Sequence, residues 1–144
     1  MSDLKYSMVP HEWAVCFQED CPLKENCLRF AVGKLVPKSV MNHNCVLPNA
    51  RKDDGCRKYV ANEQAHIARG MHELFNSVKP WVATEIRQRL FEVFGSRAQY
   101  YRYFNGEKDI TPELQAKVIA TFREFGYNIK PVYDSIERQY HFPA

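Results

Sequence analysis

Residues 16–27 read CFQEDCPLKENC, and this stretch decides how the first part of the chain is interpreted. Its three cysteines are separated by four and five residues, and a further cysteine follows after a long connection. Zinc prefers four soft ligands in a tetrahedron, which thiolates from nearby chain segments can supply. The sequence therefore predicts one structural metal ion, zinc, held by Cys16, Cys21, Cys27 and Cys56.

The remaining cysteine, Cys45, adjoins the apolar pair Val46-Leu47, where a buried free thiol packs as a small hydrophobe. Cys56 instead follows the turn-like run 53–55 and projects from a loop end, so it completes the ligand set. We expect Cys45→Ser to be tolerated, whereas losing one of the four ligands should unfold the first third. Two alternative ligands stay open, His43 and His11.

Two other uses of the cysteines remain alternatives. Unligated thiols in a reducing compartment are one, but the first third has few apolar residues with which to build a core without a staple. An iron–sulfur cluster is the other, because it also takes four thiolates and proline directly after Cys21 occurs in such sites. Zinc is preferred because nothing in the sequence adds a redox partner.

The composition is that of an ordinary folded protein, with 45% hydrophobic and 26% charged residues among 144 and a net charge of +3. The sequence shows neither a signal-peptide-like leader nor an apolar run of about 18 residues. We therefore expect a cytoplasmic protein without a membrane span. Its length allows a cysteine-rich metal-binding module at residues 1–60 and a helical unit at residues 61–144.

Beyond residue 61 the hydrophobic residues recur with the helical period of 3.6. The predicted fold class is mostly α: a metal-stapled amino-terminal module with short strands, packed on a unit of four to five helices. Proline, glycine and capping residues bound those helices. The predicted helices cover Ile67 to Val78, Val82 to Phe94, Ser96 to Asn105, Thr111 to Phe125 and Pro131 to Tyr140.

The segment LFEVFGSRAQYYRYFNGE, residues 90–107, resembles the helix-turn-helix of lambda-repressor-like and LacI-type regulators. ITPELQAKVIATFREFGY, residues 110–127, resembles their next helix. The chain departs from that pattern at Phe91, where a small residue is usual, and at Tyr101, where Ile or Val is usual. These bulky residues predict a wider crossing of the two helices.

That resemblance implies a helix that reads DNA in the major groove. Helical geometry then points Tyr101 and Phe104 inward. The guanidinium fork of Arg102 suits guanine, the amide of Gln99 suits adenine, and the phenol of Tyr103 suits a phosphate contact or stacking. Arg97, in the first turn of the helix, suits a phosphate contact. The alternative is that the aromatic residues fill a core and the arginines solvate its rim. The candidate DNA contacts are Arg97, Gln99, Arg102 and Tyr103.

No enzyme site is predicted, because His66 and His72 have neither a nucleophile nor a paired carboxylate nearby in the sequence. The spacing CxxxxCxxxxxCLR, the later cysteine and FGSRAQYYRYFNGE together resemble a small bacterial family of unknown function, which implies the two-part layout. We expect a zinc-containing regulator or adaptor that binds DNA. The alternatives are a protein-interaction module and an iron–sulfur redox sensor, and no small-molecule substrate is evident.

Overall fold

A computed structural model describes residues 3–144. The chain divides into two compact units. The cysteine unit runs up to Gln64 and includes Tyr140–Ala144, and the second unit comprises Ala65–Gln139. None of the helices in the described part of the chain combines the length and the apolar composition that a membrane span requires.

Short elements and turns build most of the cysteine unit. Helix α1, Leu28–Leu35, is followed by a small antiparallel pair of strands, β1 (Arg51–Lys52) and β2 (Gly55–Cys56). A parallel bridge joins Val15 to Cys45, and an antiparallel bridge joins Cys27 to Ala61. Three 3-10 helices complete the unit at Tyr6–Met8, Lys24–Asn26 and Pro48–Ala50.

The cysteine unit has an apolar core of its own. Trp13, Val15, Leu28 and Val32 are buried together, and other apolar side chains pack around them. Full burial of one such side chain contributes about 1.5–3 kcal/mol. The Trp13 indole also donates to the carbonyl of Pro143 at 2.6 Å, so the end of the chain closes over this core.

The second unit combines three helices with one antiparallel strand pair. Thirteen buried side chains form its core, with Tyr100, Phe122 and Leu90 fully enclosed. Strand β3 pairs with β4 from Ala65↔Gln139 to Arg69↔Ser135. The elements are β3 (Ala65–Arg69), α2 (Pro80–Val93), α3 (Arg97–Phe104), α4 (Pro112–Glu124) and β4 (Ser135–Gln139).

Local signals set the ends of these helices as the sequence predicts. The Ser96 hydroxyl accepts the N–H of Gln99 at 3.1 Å and caps α3. The Thr111 hydroxyl accepts the N–H of Leu114 at 3.4 Å and caps α4. The three-residue turn 94–96 lies between α2 and α3 and contains Gly95 at φ 105°, where a side chain would be strained.

The predicted fold class is wrong, because the described chain is a mixed fold with four α-helices and two small antiparallel sheets. The segment from Ile67 to Val78, expected to be a helix, forms part of strand β3 and the turns that follow it. The segment after Pro131, also expected to be a helix, contains strand β4. Ile67 and Met71 are buried as predicted. Burial at such spacing does not distinguish a helix from a strand followed by tight turns, and β3–β4 pairing joins residues far apart in sequence.

The metal-stapled module is the second error in that fold class. Within residues 3–144, no group of three or more His, Cys, Asp or Glu side chains is arranged to hold a metal ion. The prediction depends on the first third lacking enough apolar residues for a core. The enclosed cluster around Val15 and Leu28 overturns that premise.

Candidate functional site: the four-cysteine pocket

Different local structures position the four cysteines that the sequence singles out. Cys16 follows the fully buried Val15, and its N–H donates to the carbonyl of Arg29 at 3.0 Å. Cys27 is the residue that precedes α1, and Cys56 ends β2. Cys21 lies in a turn, where its N–H donates to the carbonyl of Gln18. Each cysteine is therefore fixed through its backbone.

These four cysteines line one small cavity of about 20 Å³. A space of this size holds one occupant the size of a water molecule. The wall also carries four cations and no carboxylate. We call this cavity the four-cysteine pocket; its cations are Lys24, Arg29, Arg51 and Lys58.

Four cysteines that line the same cavity do not by that alone form a metal site. As the side chains stand, the described cysteines do not meet the geometry of a metal-binding group. All five are free thiols. The structure thus brings together the residues that the sequence selects without assembling them around an ion.

The other sulfur and imidazole candidates lie elsewhere. Cys45 is exposed, so the expectation that it packs as a buried small hydrophobe is wrong. Its neighbours make the hydrogen bonds of the bridge to Val15: the Val15 N–H donates to the carbonyl of Asn44, and the Val46 N–H donates to the carbonyl of Val15. His43 hydrogen-bonds with the Tyr6 hydroxyl at 2.7 Å, and His11 lines the same shallow cavity as His43. Neither histidine lines the four-cysteine pocket.

Arg29 is the buried charge beside the thiols, with 4% of its surface exposed. Its Nε donates to the carbonyl of Lys58 at 2.7 Å and its Nη1 donates to that of Ala14 at 2.6 Å. The guanidinium carbon lies 4.4 Å from the centre of the Trp13 ring. In the described chain the groups that act on its charge when ionised are the thiols of Cys27, Cys56 and Cys16, and no carboxylate is among them.

Burial dominates the electrostatics of the pocket. It raises the pKa of the Cys16 thiol; a backbone hydrogen bond from Gln18 opposes this rise, and the charges of the other three cysteines add to it. Burial lowers the pKa of Arg29, while the nearby thiolates raise it. Thiolates in this pocket therefore need positive charge close by, and Arg29 supplies part of it.

On α3, the two arginines among the candidate DNA contacts are exposed. Arg97 lies with its guanidinium carbon 5.8 Å from the centre of the Tyr101 ring. Within the described residues, neither Arg97 nor Arg102 forms an ion pair, whereas Arg89 on α2 pairs with Glu92 and Glu124.

The other two candidate contacts are engaged inside the second unit. The Gln99 side-chain oxygen accepts from the Lys108 ammonium at 2.6 Å. The Tyr103 ring lies 4.7 Å from the Phe94 ring, and Lys108 lies 5.6 Å from its centre. The structure therefore presents Arg97 and Arg102 to the surface and packs Tyr103 against the core.

A family model matches residues 1–142 of the chain. The chain belongs to this family, DUF6078, a family of unknown function. The match spans nearly the whole DUF6078 chain, including all four pocket cysteines. The search of curated proteins and the search of solved structures returned no match. The likeness to repressor helix-turn-helix proteins therefore stays a prediction for this DUF6078 member.

The sequence interpretation misses two polar features of this DUF6078 chain. Arg29 stands in the quoted CLR motif, but its partners are backbone carbonyls, which no residue type reveals. The sequence gives His72 no partner, yet its ring and backbone N–H both donate to the Asp134 carboxylate. That pair is separated by 62 residues, so local spacing carries no signal for it.

Proposed function

We propose that the four-cysteine pocket binds one soft metal ion through thiolates, that this ion is zinc, and that the chain is a zinc-containing regulator or adaptor. The observation that supports this is the shared wall of one ion-sized cavity by Cys16, Cys21, Cys27 and Cys56. Four thiolates are the ligand set that zinc and iron–sulfur centres prefer. Zinc is preferred to a cluster because nothing in the sequence adds a redox partner.

The charge of the pocket wall supports the same proposal. A divalent ion held by four thiolates leaves an excess of negative charge. The wall carries four cations and no carboxylate; Lys24 and Arg51 are paired with Glu19 and Asp20 outside the wall, which leaves Arg29 and Lys58 to balance that charge. Arg29 is the most enclosed of these cations, so its charge acts where solvent screens it least.

Metal binding on this proposal requires the cysteine side chains to turn, since they form no metal-binding group as they stand. A cysteine has only one side-chain torsion to its sulfur, with three staggered positions. The required change is therefore a choice of rotamer around an existing cavity.

Elemental analysis and an absorbance spectrum of anaerobically purified protein test the proposal. We expect about one zinc per chain and no visible absorbance. Replacing any one pocket cysteine with serine should lower zinc retention, and Cys45→Ser is the matched control because its thiol is exposed outside the pocket. Protein without bound metal, or equal loss in the control, would refute a zinc site here. A brown protein containing iron and sulfide would replace zinc by a cluster.

Binding of DNA by α3 is the second proposal for the regulator. It is supported by Arg97 and Arg102, which are exposed on one short helix and free of ion pairs in the described residues. Arginine at the start of such a helix suits phosphate contacts, which supply most non-specific affinity for DNA. Gln99 contributes to base reading only if it leaves Lys108.

Fluorescence anisotropy with a mixed-sequence DNA duplex tests this second proposal. The double variant Arg97→Ala/Arg102→Ala should weaken binding and reduce the salt dependence by roughly one unit of slope for each phosphate that the variant no longer neutralises. Arg89→Ala is the control, because Arg89 is also exposed but is paired with two glutamates. Equal weakening by both variants, or no binding by the parent protein at low salt, would exclude DNA reading by α3.

A further inference from the structure

Arg29 ties together the chain segments that carry three of the pocket cysteines. Its two side-chain hydrogen bonds reach the carbonyls of Ala14 and Lys58. Ala14 lies two residues before Cys16, and Lys58 lies two residues after Cys56. Arg29 itself lies two residues after the third cysteine, at the start of α1. One guanidinium therefore links the backbone beside each of three thiols.

The same guanidinium is an unusual choice for a purely structural link. A buried charge is costly unless an opposite charge and hydrogen bonds compensate for it. Arg29 is almost fully enclosed, yet its hydrogen bonds go to neutral carbonyls. The groups near it that carry negative charge when ionised are the thiols of the pocket. A neutral side chain could fill this space without that cost, so the charge itself needs an explanation.

We propose that Arg29 is the positioning residue and built-in counter-cation of the four-cysteine pocket, holding three cysteine segments in place and offsetting the negative charge of a metal bound by thiolates. This inference rests on the proposed metal site. It adds the residue that makes a negatively charged centre tolerable inside the cysteine unit. It also accounts for the fork of two hydrogen bonds, which the planar guanidinium makes and an ammonium cannot reproduce.

Titration of metal-free protein with Co²⁺ tests the inference, because thiolate coordination of cobalt gives an absorbance signature that follows the site directly. Arg29→Gln removes the charge and much of the fork, and we expect it to weaken Co²⁺ binding about 10- to 100-fold, as removal of groups that support metal ligands commonly does. Arg29→Lys restores the charge without the fork and should recover part of that loss. Arg57→Gln is the control, since Arg57 adjoins Cys56 but is exposed and outside the pocket wall.

The rank order of the variants decides the outcome. Both roles of Arg29 would be supported by one order of Co²⁺ affinity: the parent protein and Arg57→Gln bind most tightly, Arg29→Lys binds less tightly, and Arg29→Gln binds most weakly. Equal weakening by the lysine and glutamine variants would overturn the counter-cation role, because both lack the fork and only one lacks the charge. Should Arg29→Gln fail to fold, as judged by circular dichroism, the lysine variant decides: binding as weak as that of a pocket Cys→Ser variant overturns the inference.

The design also separates this inference from the proposal beneath it. Parent protein that binds no Co²⁺ refutes the metal site, and the role of Arg29 falls with it. If the parent protein binds Co²⁺ and Arg29→Gln binds it equally tightly, the proposed metal site stands and only the proposed role of Arg29 is refuted.

Discussion

Tyr133 provides a direct test of the energetics of the second unit. Its ring is buried with 9% of the surface exposed, and its hydroxyl has no hydrogen-bond partner in the described structure. Burial alone raises the pKa of this phenol from 10.0 to about 12. The hydroxyl is thus a desolvated polar group whose ionised form the folded state rejects.

The change Tyr133→Phe removes that hydroxyl and keeps the ring. At neutral pH we expect the variant to be equal in stability to the parent or more stable by up to about 1 kcal/mol, because an unpaired buried hydroxyl contributes no compensating bond. At alkaline pH the two should diverge. Because the pKa of Tyr133 is raised in the folded state, its contribution to the free energy of unfolding is fully present below pH 10 and is lost as the pH rises through about 12.

The size of the divergence follows from the shift of the pKa. Two pKa units correspond to about 2.7 kcal/mol in total, of which about 1.4 kcal/mol is lost by pH 11. Urea denaturation of both proteins at pH 8 and pH 11 measures it, since other titrating groups cancel in the difference. A constant stability difference at the two pH values, or a variant less stable by more than about 1 kcal/mol at pH 8, would refute the reasoning.

Two further predictions concern backbone and capping. Gly70 and Gly126 have nearly the same positive φ, 80° and 82°, but a Cβ on Gly70 would collide with Asp134, whereas one on Gly126 meets nothing. Thermal or urea denaturation should therefore show a loss of about 1–2 kcal/mol for Gly126→Ala from strain, and about 1–3 kcal/mol more for Gly70→Ala; equal losses would contradict this. Thr111→Ala removes the α4 cap and should cost about 1 kcal/mol by the same measurement, with Thr111→Ser retaining most of that stability.

Helices α2 to α4 could be predicted because their boundaries are written locally. Proline begins α4, Ser96 and Thr111 accept N–H groups of the first turn of α3 and α4, and glycine follows each helix. The predicted start of α2 at Val82 is two residues late, because Pro80 is its first residue. Each signal acts within a few residues, so the sequence alone exposes it. The same locality explains why helix predictions succeed where the local pattern is complete.

Strands β3 and β4 could not be predicted for the opposite reason. Ala65 pairs with Gln139, which lies at the other end of the second unit in sequence. The residue spacing within either segment does not indicate which segment it will pair with. Ile67 and Met71 fit a helical face as well as they fit a strand and a turn. Where a short apolar segment satisfies both periods, tertiary pairing decides between them.

The four-cysteine pocket is only partly visible in the sequence. Turn chemistry around residues 53–55 favours Cys56 over Cys45, and the structure places Cys56 in the pocket wall and Cys45 at the surface. The expected packing of Cys45 is wrong because its burial is inferred from its apolar neighbours alone. Arg29 could not be assigned, because its role depends on two carbonyls that converge only after folding.

The core of the cysteine unit changes what a metal would do there. A domain that lacks apolar residues needs an ion in order to fold, and metal loss then unfolds it. This unit has a buried apolar cluster that includes Trp13, Val15 and Leu28 and contains no cysteine. Arg29 also links segments of the unit through its side-chain hydrogen bonds. An ion in the four-cysteine pocket would therefore bind a unit that already holds its shape. Such binding can follow the supply of metal or the oxidation of thiols without the unit unfolding, which suits a regulator better than a structural staple.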